Sequence, residues 1–184
     1  CHEAGLREKV NDVLSEHPTF SAGECTKCHS PHKSKLKKLL LASTPALCLS
    51  CHRDLRDKMY MKEKCEKLKA ATAAGGDAGA EKECEAKVYV HAPSALENCL
   101  RCHKPHLSEE PALMAQPIQA LCGECHDYKA DTFRKAHIDI EGSDMNCTKC
   151  HDPHTSASPK FFKDAVHLPF KAGECGECHI TGQP

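Results

Sequence analysis

The sequence predicts a mostly irregular chain with short α-helices and little or no β-structure, laid out as a quasi-linear array of repeated units. Three observations lead there. The pentapeptide Cys-x-x-Cys-His occurs six times in 184 residues. Residues 17–52 return without gaps as residues 91–126, at an offset of 74. Aromatic content is 4% and Trp is absent, so the chain has too little apolar material for a self-sufficient core.

The six pentapeptides are Cys25-Cys28-His29, Cys48-Cys51-His52, Cys99-Cys102-His103, Cys122-Cys125-His126, Cys147-Cys150-His151 and Cys175-Cys178-His179. Each matches the attachment signature of c-type haem. The two thiols form thioethers to the porphyrin vinyl groups, and the adjacent imidazole reaches the iron. A helical turn puts Cys i, Cys i+3 and His i+4 on one face. At about 31 residues per haem the cofactors form most of the interior, so the expected fold is a haem-packed array. Covalent haem supplies apolar area in the way that metals and staples do for other thin scaffolds.

Paired CxxC motifs also make zinc ribbons and disulfide frameworks. The 19 residues between Cys28 and Cys48, and between Cys102 and Cys122, fall in the zinc-ribbon range. The histidines argue against it. His is 14 of 184 residues, so six of six following a second Cys by chance is roughly one in five million.

No run of about 20 apolar residues is present, so no membrane-spanning helix is expected. The formal net charge is −1. Two propionates per haem, against about +1 from each ferric porphyrin, bring the oxidised holoprotein nearer to roughly −7, which suits cationic partners and excludes nucleic acid. Haem attachment of this kind takes place outside the bacterial cytoplasm. The expected location is periplasmic, extracellular or at the cell surface of a prokaryote.

After the six motif histidines, eight remain: His2, His17, His32, His91, His106, His137, His154 and His167. Three fall in a repeated tail, as CHSPH at His32, CHKPH at His106 and CHDPH at His154. Three residues span about 10 Å at most. That is too short to pass round a porphyrin, so these three reach a neighbouring haem instead. The proline stiffens the turn that aims them. His17, His91 and His167 stand eight residues before a motif, and His137 stands ten before. These four read as sixth iron ligands. Two imidazoles on each iron would leave no open position for substrate.

The order of motifs divides the chain into an N-terminal segment 1–16, a two-haem repeat 17–52, an insertion 53–90, a second repeat 91–126 and a diverged third repeat 127–184. HPTFSAGEC at 17–25 returns as HLPFKAGEC at 167–175, so the last haem starts like a fresh repeat. Such an array resembles a solenoid more than a globule. Residues 35–42 and 110–115 are candidate short helices leading to the second motif of each pair.

The pattern H-x7-CxxCH-x-PH-x15-CxxCH resembles the doubled-CxxCH family of multihaem cytochromes c. The resemblance covers residues 17–52, 91–126 and 137–179. It implies thioether roles for the motif cysteines, proximal roles for the motif histidines and distal roles for His32, His106 and His154. It also implies low-spin, bis-His haems that pass single electrons. Residues 53–90 depart from the pattern.

Within that insertion, residues 53–71 read as a charged helix of about 18 residues, followed by an Ala/Gly loop. Cys65 and Cys84 are the internal cysteines outside motifs. A disulfide between them closes a loop worth about 3 kcal/mol. Met59 and Met61 read as packing against haem edges.

Cys1-His2 has two competing readings. In one, Cys1 is an acylated lipoprotein N-terminus, a lipid anchor. In the other, Cys1 and His2 close a further motif that holds a seventh haem. The histidine count favours the second, because seven bis-His haems need all 14 histidines. In a third option, a spare histidine ligates a haem in a neighbouring subunit.

The expected function is electron transfer through closely packed haems rather than enzymatic catalysis. The partners are other redox proteins or further copies of the chain, as in a longer conduit or a head-to-tail filament. The alternative is a multihaem oxidoreductase of small nitrogen or sulfur compounds, which needs one open iron.

Overall fold

A computed structural model describes residues 11–74 and 87–165, together with Gly5, Cys84 and His167. The elements are short and the connections irregular, as the low apolar content requires. The longest described helix is Met61–Ala73. Strands β1 (Ser15–Glu16), β2 (Tyr89–Val90), β3 (Leu107–Ser108) and β4 (Thr155–Ser156) have two residues each. The chain divides into two compact units, Cys1–Asp57 with Ala92–Cys147, and Lys58–His91 with Thr148–Pro184.

In the first unit, β1 pairs antiparallel with β3, with Ser15 opposite Ser108 and Glu16 opposite Leu107. The His17 amide donates to the His106 carbonyl at 2.7 Å, which extends the ladder to both histidines. The buried apolar residues described are Phe20, Leu49, Leu107 and Leu121, all in this unit. Helix Thr44–Cys51 carries the second motif and packs against Cys99–Cys102, which carries the third. Pro45 sits in its first turn, where the missing amide proton costs nothing.

In the second unit, β2 pairs antiparallel with β4 in the corresponding register, Tyr89 opposite Ser156 and Val90 opposite Thr155. The His91 amide donates to the His154 carbonyl at 2.9 Å. The same interlock therefore occurs twice. A lead segment that runs into a histidine eight residues before a motif pairs with the tail segment that leaves the next repeat's xPH.

The insertion is helical, but in two pieces. Arg53–Met59 and Met61–Ala73 are separated at Tyr60 (φ −98°, ψ 11°), where one helix of about 18 residues was expected. Cys65 and Cys84 form the expected disulfide, with Cα atoms 5.5 Å apart. It ties helix Met61–Ala73 to the chain just before β2.

The helices expected at 35–42 and 110–115 are absent. Each segment forms a single 3-10 turn, Lys37–Leu39 and Pro111–Leu113, with left-handed backbone at Lys38, Leu39, Ala112 and Leu113. A helix this short is marginal in water. The extended segment that replaces it spends its carbonyls on the haem motif beside it.

Candidate functional site

The motifs adopt the turn that their spacing demands. The amides of His29, His52, His103 and His126 donate to the carbonyl of the first Cys of their own motif, at 2.9–3.0 Å. The fifth motif begins on a 3-10 turn, Cys147–Lys149. The ten cysteines of the five described motifs form no disulfide and are half-buried or exposed. Cys1, His2, Cys175, Cys178 and His179 lie outside the described residues.

The first motif of each pair is clamped by the chain that follows, in the same way three times. The Leu41, Ala115 and Lys163 amides donate to the carbonyls of Cys28, Cys102 and Cys150 at 2.8–2.9 Å. The Ser30, Lys104 and Asp152 amides donate to the carbonyls of Leu39, Leu113 and Phe161 at 2.7–2.8 Å. The left-handed residues turn these carbonyls inward, and Phe161 shares that conformation at φ 57°.

The clamp also fixes the imidazoles. His29 Nδ1 lies 2.8 Å from the Lys38 carbonyl, His103 Nδ1 3.1 Å from that of Ala112, and His151 Nδ1 2.8 Å from that of Lys160. A carbonyl only accepts, so each Nδ1 carries the proton and each Nε2 keeps its lone pair for a metal. A backbone carbonyl behind a ligating His is a recurrent support that orients the ring. His137 Nδ1 is held by the Phe133 carbonyl at 2.9 Å in the same manner, with the two rings stacked 4.1 Å apart.

Three serines complete the clamp, and the motif reading alone misses them. Ser34, Ser108 and Ser156 each stand two residues past the second His of an xPH tail. Their hydroxyls donate to the carbonyls of Leu40, Met114 and Phe162. Each hydroxyl also accepts the amide two residues on, from Leu36, Glu110 and Ser158, at 2.9–3.0 Å. Ser108 is fully buried. The signal was available in the sequence, since all three tails read PHxS.

Two pairs of histidines from separate parts of the first unit come close together. The rings of His29 and His106 have centres 5.9 Å apart, inclined at 34°. Those of His17 and His52 are 6.4 Å apart, at 76°. An imidazole nitrogen binds a metal at about 2.0–2.1 Å, so two rings on opposite sides of one ion have centres about 6 Å apart. Burial pushes the His106 pKa down, and neighbouring His29 and His17 push it further. Burial and then His52 lower that of His17. The neutral imidazole is the form a metal takes.

Among the described residues, no three His, Cys, Asp or Glu side chains gather as a metal site. Facing pairs of imidazoles beside thiol pairs suit a macrocycle that brings four nitrogens of its own. Exposed Leu36, Leu39 and Leu41 follow the first motif, and exposed Leu96 and Leu100 lie just before and within the third. Such side chains suit the faces of a porphyrin.

Motifs of successive repeats also touch through their sulfurs. Cys48 and Cys99 share a hydrogen bond; burial first, and then Cys99, push the Cys48 thiol up to about 11. Burial and Cys147 push Cys122 up to about 12 through the same kind of contact. Tyr128 braces the second pair. Its hydroxyl donates to the Gln119 carbonyl at 2.5 Å, and its ring covers Gly142 so closely that a Cβ there would lie 2.4 Å from Tyr128 Cγ. His32 is exposed, unlike half-buried His106 and His154. His91 and His154 meet through their backbones, as described above, and His167 is exposed.

Clamped CxxCH turns with oriented imidazoles define a multihaem c-type cytochrome, with haem c attached covalently through the motif cysteines. The model of the doubled CXXCH motif family matches residues 17–57, 91–131 and 140–166, and the chain belongs to that family. A search of curated proteins finds no match to the chain.

Proposed function

We propose that the protein is an electron-transfer conduit, in which low-spin haems with two histidine ligands pass single electrons from repeat to repeat. The observation that carries this reading is the 5.9 Å separation of the His29 and His106 rings. His29 belongs to a motif of repeat 1, and His106 to the tail of repeat 2. One haem iron held by both would join the two repeats. The His17 and His52 pair, at 6.4 Å, would hold the haem of the second motif in the same way.

Two imidazoles keep an iron low-spin in both oxidation states and give it a lower potential than an imidazole and a thioether. The sulfur contacts Cys48–Cys99 and Cys122–Cys147 support close approach of the attached porphyrins, each linking the second motif of one repeat to the first of the next. The remaining proximal ligands are His103, His126, His151 and His179, and His32, His91, His137, His154 and His167 are the candidates for the distal positions, one more than four irons need. Among the described residues no helix is long and apolar enough to cross a membrane. Placement in the periplasm or at the cell surface follows from where haem c is attached.

Intact mass and film voltammetry test this reading together. Six complete motifs predict six additions of about 616 Da, and the mass also decides whether Cys1-His2 holds a seventh. Voltammetry should show reversible one-electron waves that nitrite, hydroxylamine and sulfite leave unchanged. A catalytic current with any of these would favour the oxidoreductase reading instead.

A further inference from the structure

The interlock of lead and tail segments occurs twice, but the chain has a third tail. Residues 106–108 and 154–156 are each covered by a lead strand, and Leu107, Ser108, Thr155 and Ser156 are buried. The matching tail of repeat 1 is His32-Lys33-Ser34. It has the same clamp, with the Ser34 hydroxyl on the Leu40 carbonyl. Yet His32 and Lys33 are exposed and Ser34 is only half-buried. Among the described residues, no backbone donor meets the His32 carbonyl, where the His106 and His154 carbonyls each receive one.

The sequence holds a third lead segment as well. Residues 164–166 read Asp-Ala-Val and stand before HLPFKAGEC as residues 14–16 stand before HPTFSAGEC. Asp164, Ala165 and His167 are exposed, whereas Ser15, Glu16, His17, Tyr89, Val90 and His91 are half-buried under their partners. An open tail edge and an exposed lead are complementary halves of one interlock, and edge pairing between chains is how such halves close.

We propose that residues 164–167 of one copy dock on the His32–Ser34 edge of a second copy, head to tail. The register of the two existing interlocks puts the residue before the lead His opposite the residue after the tail His. Applied here, it sets Ala165 opposite Ser34 and Asp164 opposite Lys35. Opposite charges directly across a strand pair stabilise it, and like charges destabilise it.

The docking also gives His32 a role, and this part rests on the haem reading above. In the first unit, lead residue His17 precedes motif residue His29 by 12, and the tail that covers this lead brings His106 to His29. His167 precedes His179 by the same 12. By the same spacing, docking would let His32 of one copy serve the haem of the His179 motif in the other.

Light scattering of the holoprotein against concentration, with Asp164→Lys, Lys35→Asp and the double variant, tests the docking. The wild type should reach at least twice the monomer mass. Asp164→Lys should remain monomeric over the same range, and the double variant should recover assembly. A wild type that stays monomeric, or an Asp164→Lys protein that assembles as well as wild type, would overturn the proposal. Carbon monoxide binding to the reduced protein reads His32 separately. One haem per chain should bind it at dilution and only one per assembly, at its open end, once assembled, while in assembled His32→Ala one haem per chain binds it throughout. Assembly that leaves carbon monoxide binding unchanged would remove His32 from the iron without undoing the docking.

Discussion

His29 and His106 are 77 positions apart in the sequence and bring their ring centres within 5.9 Å. The approach is built from ordinary parts. β1 pairs with β3, which places His106 beside the start of repeat 1, and the Lys38 carbonyl turns His29 to meet it. Phe20, itself buried, packs on His106 with ring centres 5.1 Å apart. A short strand pair thus positions a ligand that its own motif cannot use.

The buried serine of the clamp is the first place to test this construction. Ser108→Ala leaves the Met114 carbonyl and the Glu110 amide without their hydroxyl partner. Buried groups stripped of a partner cost about 1–3 kcal/mol. Thermal unfolding of the holoprotein should show a loss of that size, while covalent haem content stays the same.

The left-handed turn makes the opposite prediction. Ala112 sits at φ 53° so that its carbonyl can face His103 Nδ1. A non-glycine residue there costs about 1 kcal/mol or more relative to glycine. Ala112→Gly should raise the unfolding temperature and leave the visible spectrum unchanged. A lower unfolding temperature would count against the strain.

Gly142 lies under the Tyr128 ring, and an added methyl would displace it. Tyr128 braces the Cys122–Cys147 contact, so Gly142→Ala should destabilise the protein by about 1–3 kcal/mol, the usual cost of overpacking. Chemical denaturation followed in the Soret band reads it. Tyr128→Ala combined with Gly142→Ala should add little beyond Tyr128→Ala alone.

The Cys65–Cys84 disulfide holds a segment that has no haem motif of its own. Replacing both cysteines with serine should cost about 3 kcal/mol of local stability. Limited proteolysis should then cut between residues 61 and 84 faster than in the wild type, with haem spectra unaltered. Cleavage at an unchanged rate would mean that the helix holds without its staple.

Much of the site was readable because its chemistry is carried by residue types at fixed spacing. CxxCH, the xPH tail and the early histidines are covalent and ligand requirements, so they survive as letters. Cys65 and Cys84 were readable by elimination from the motifs. The clamp was not, because it is made of main-chain carbonyls and left-handed turns that side-chain patterns do not encode. Residues 35–42 read as a short helix leading to the second motif, yet the motif His needs the Lys38 carbonyl turned toward it. The two-residue strands are too short to show alternation, so the interlock of lead and tail left no periodic signal. The PHxS serines did leave one, visible once the three tails are aligned on their second His.

The most direct test of the central claim is the electron paramagnetic resonance spectrum of oxidised His106→Ala, set beside wild type at equal haem content. Loss of the ligand facing His29 should convert one haem per protein from low-spin to high-spin, with the others unchanged. A spectrum identical to wild type would show that His106 does not ligate the iron of the first motif, and that repeats are not joined through their axial bonds.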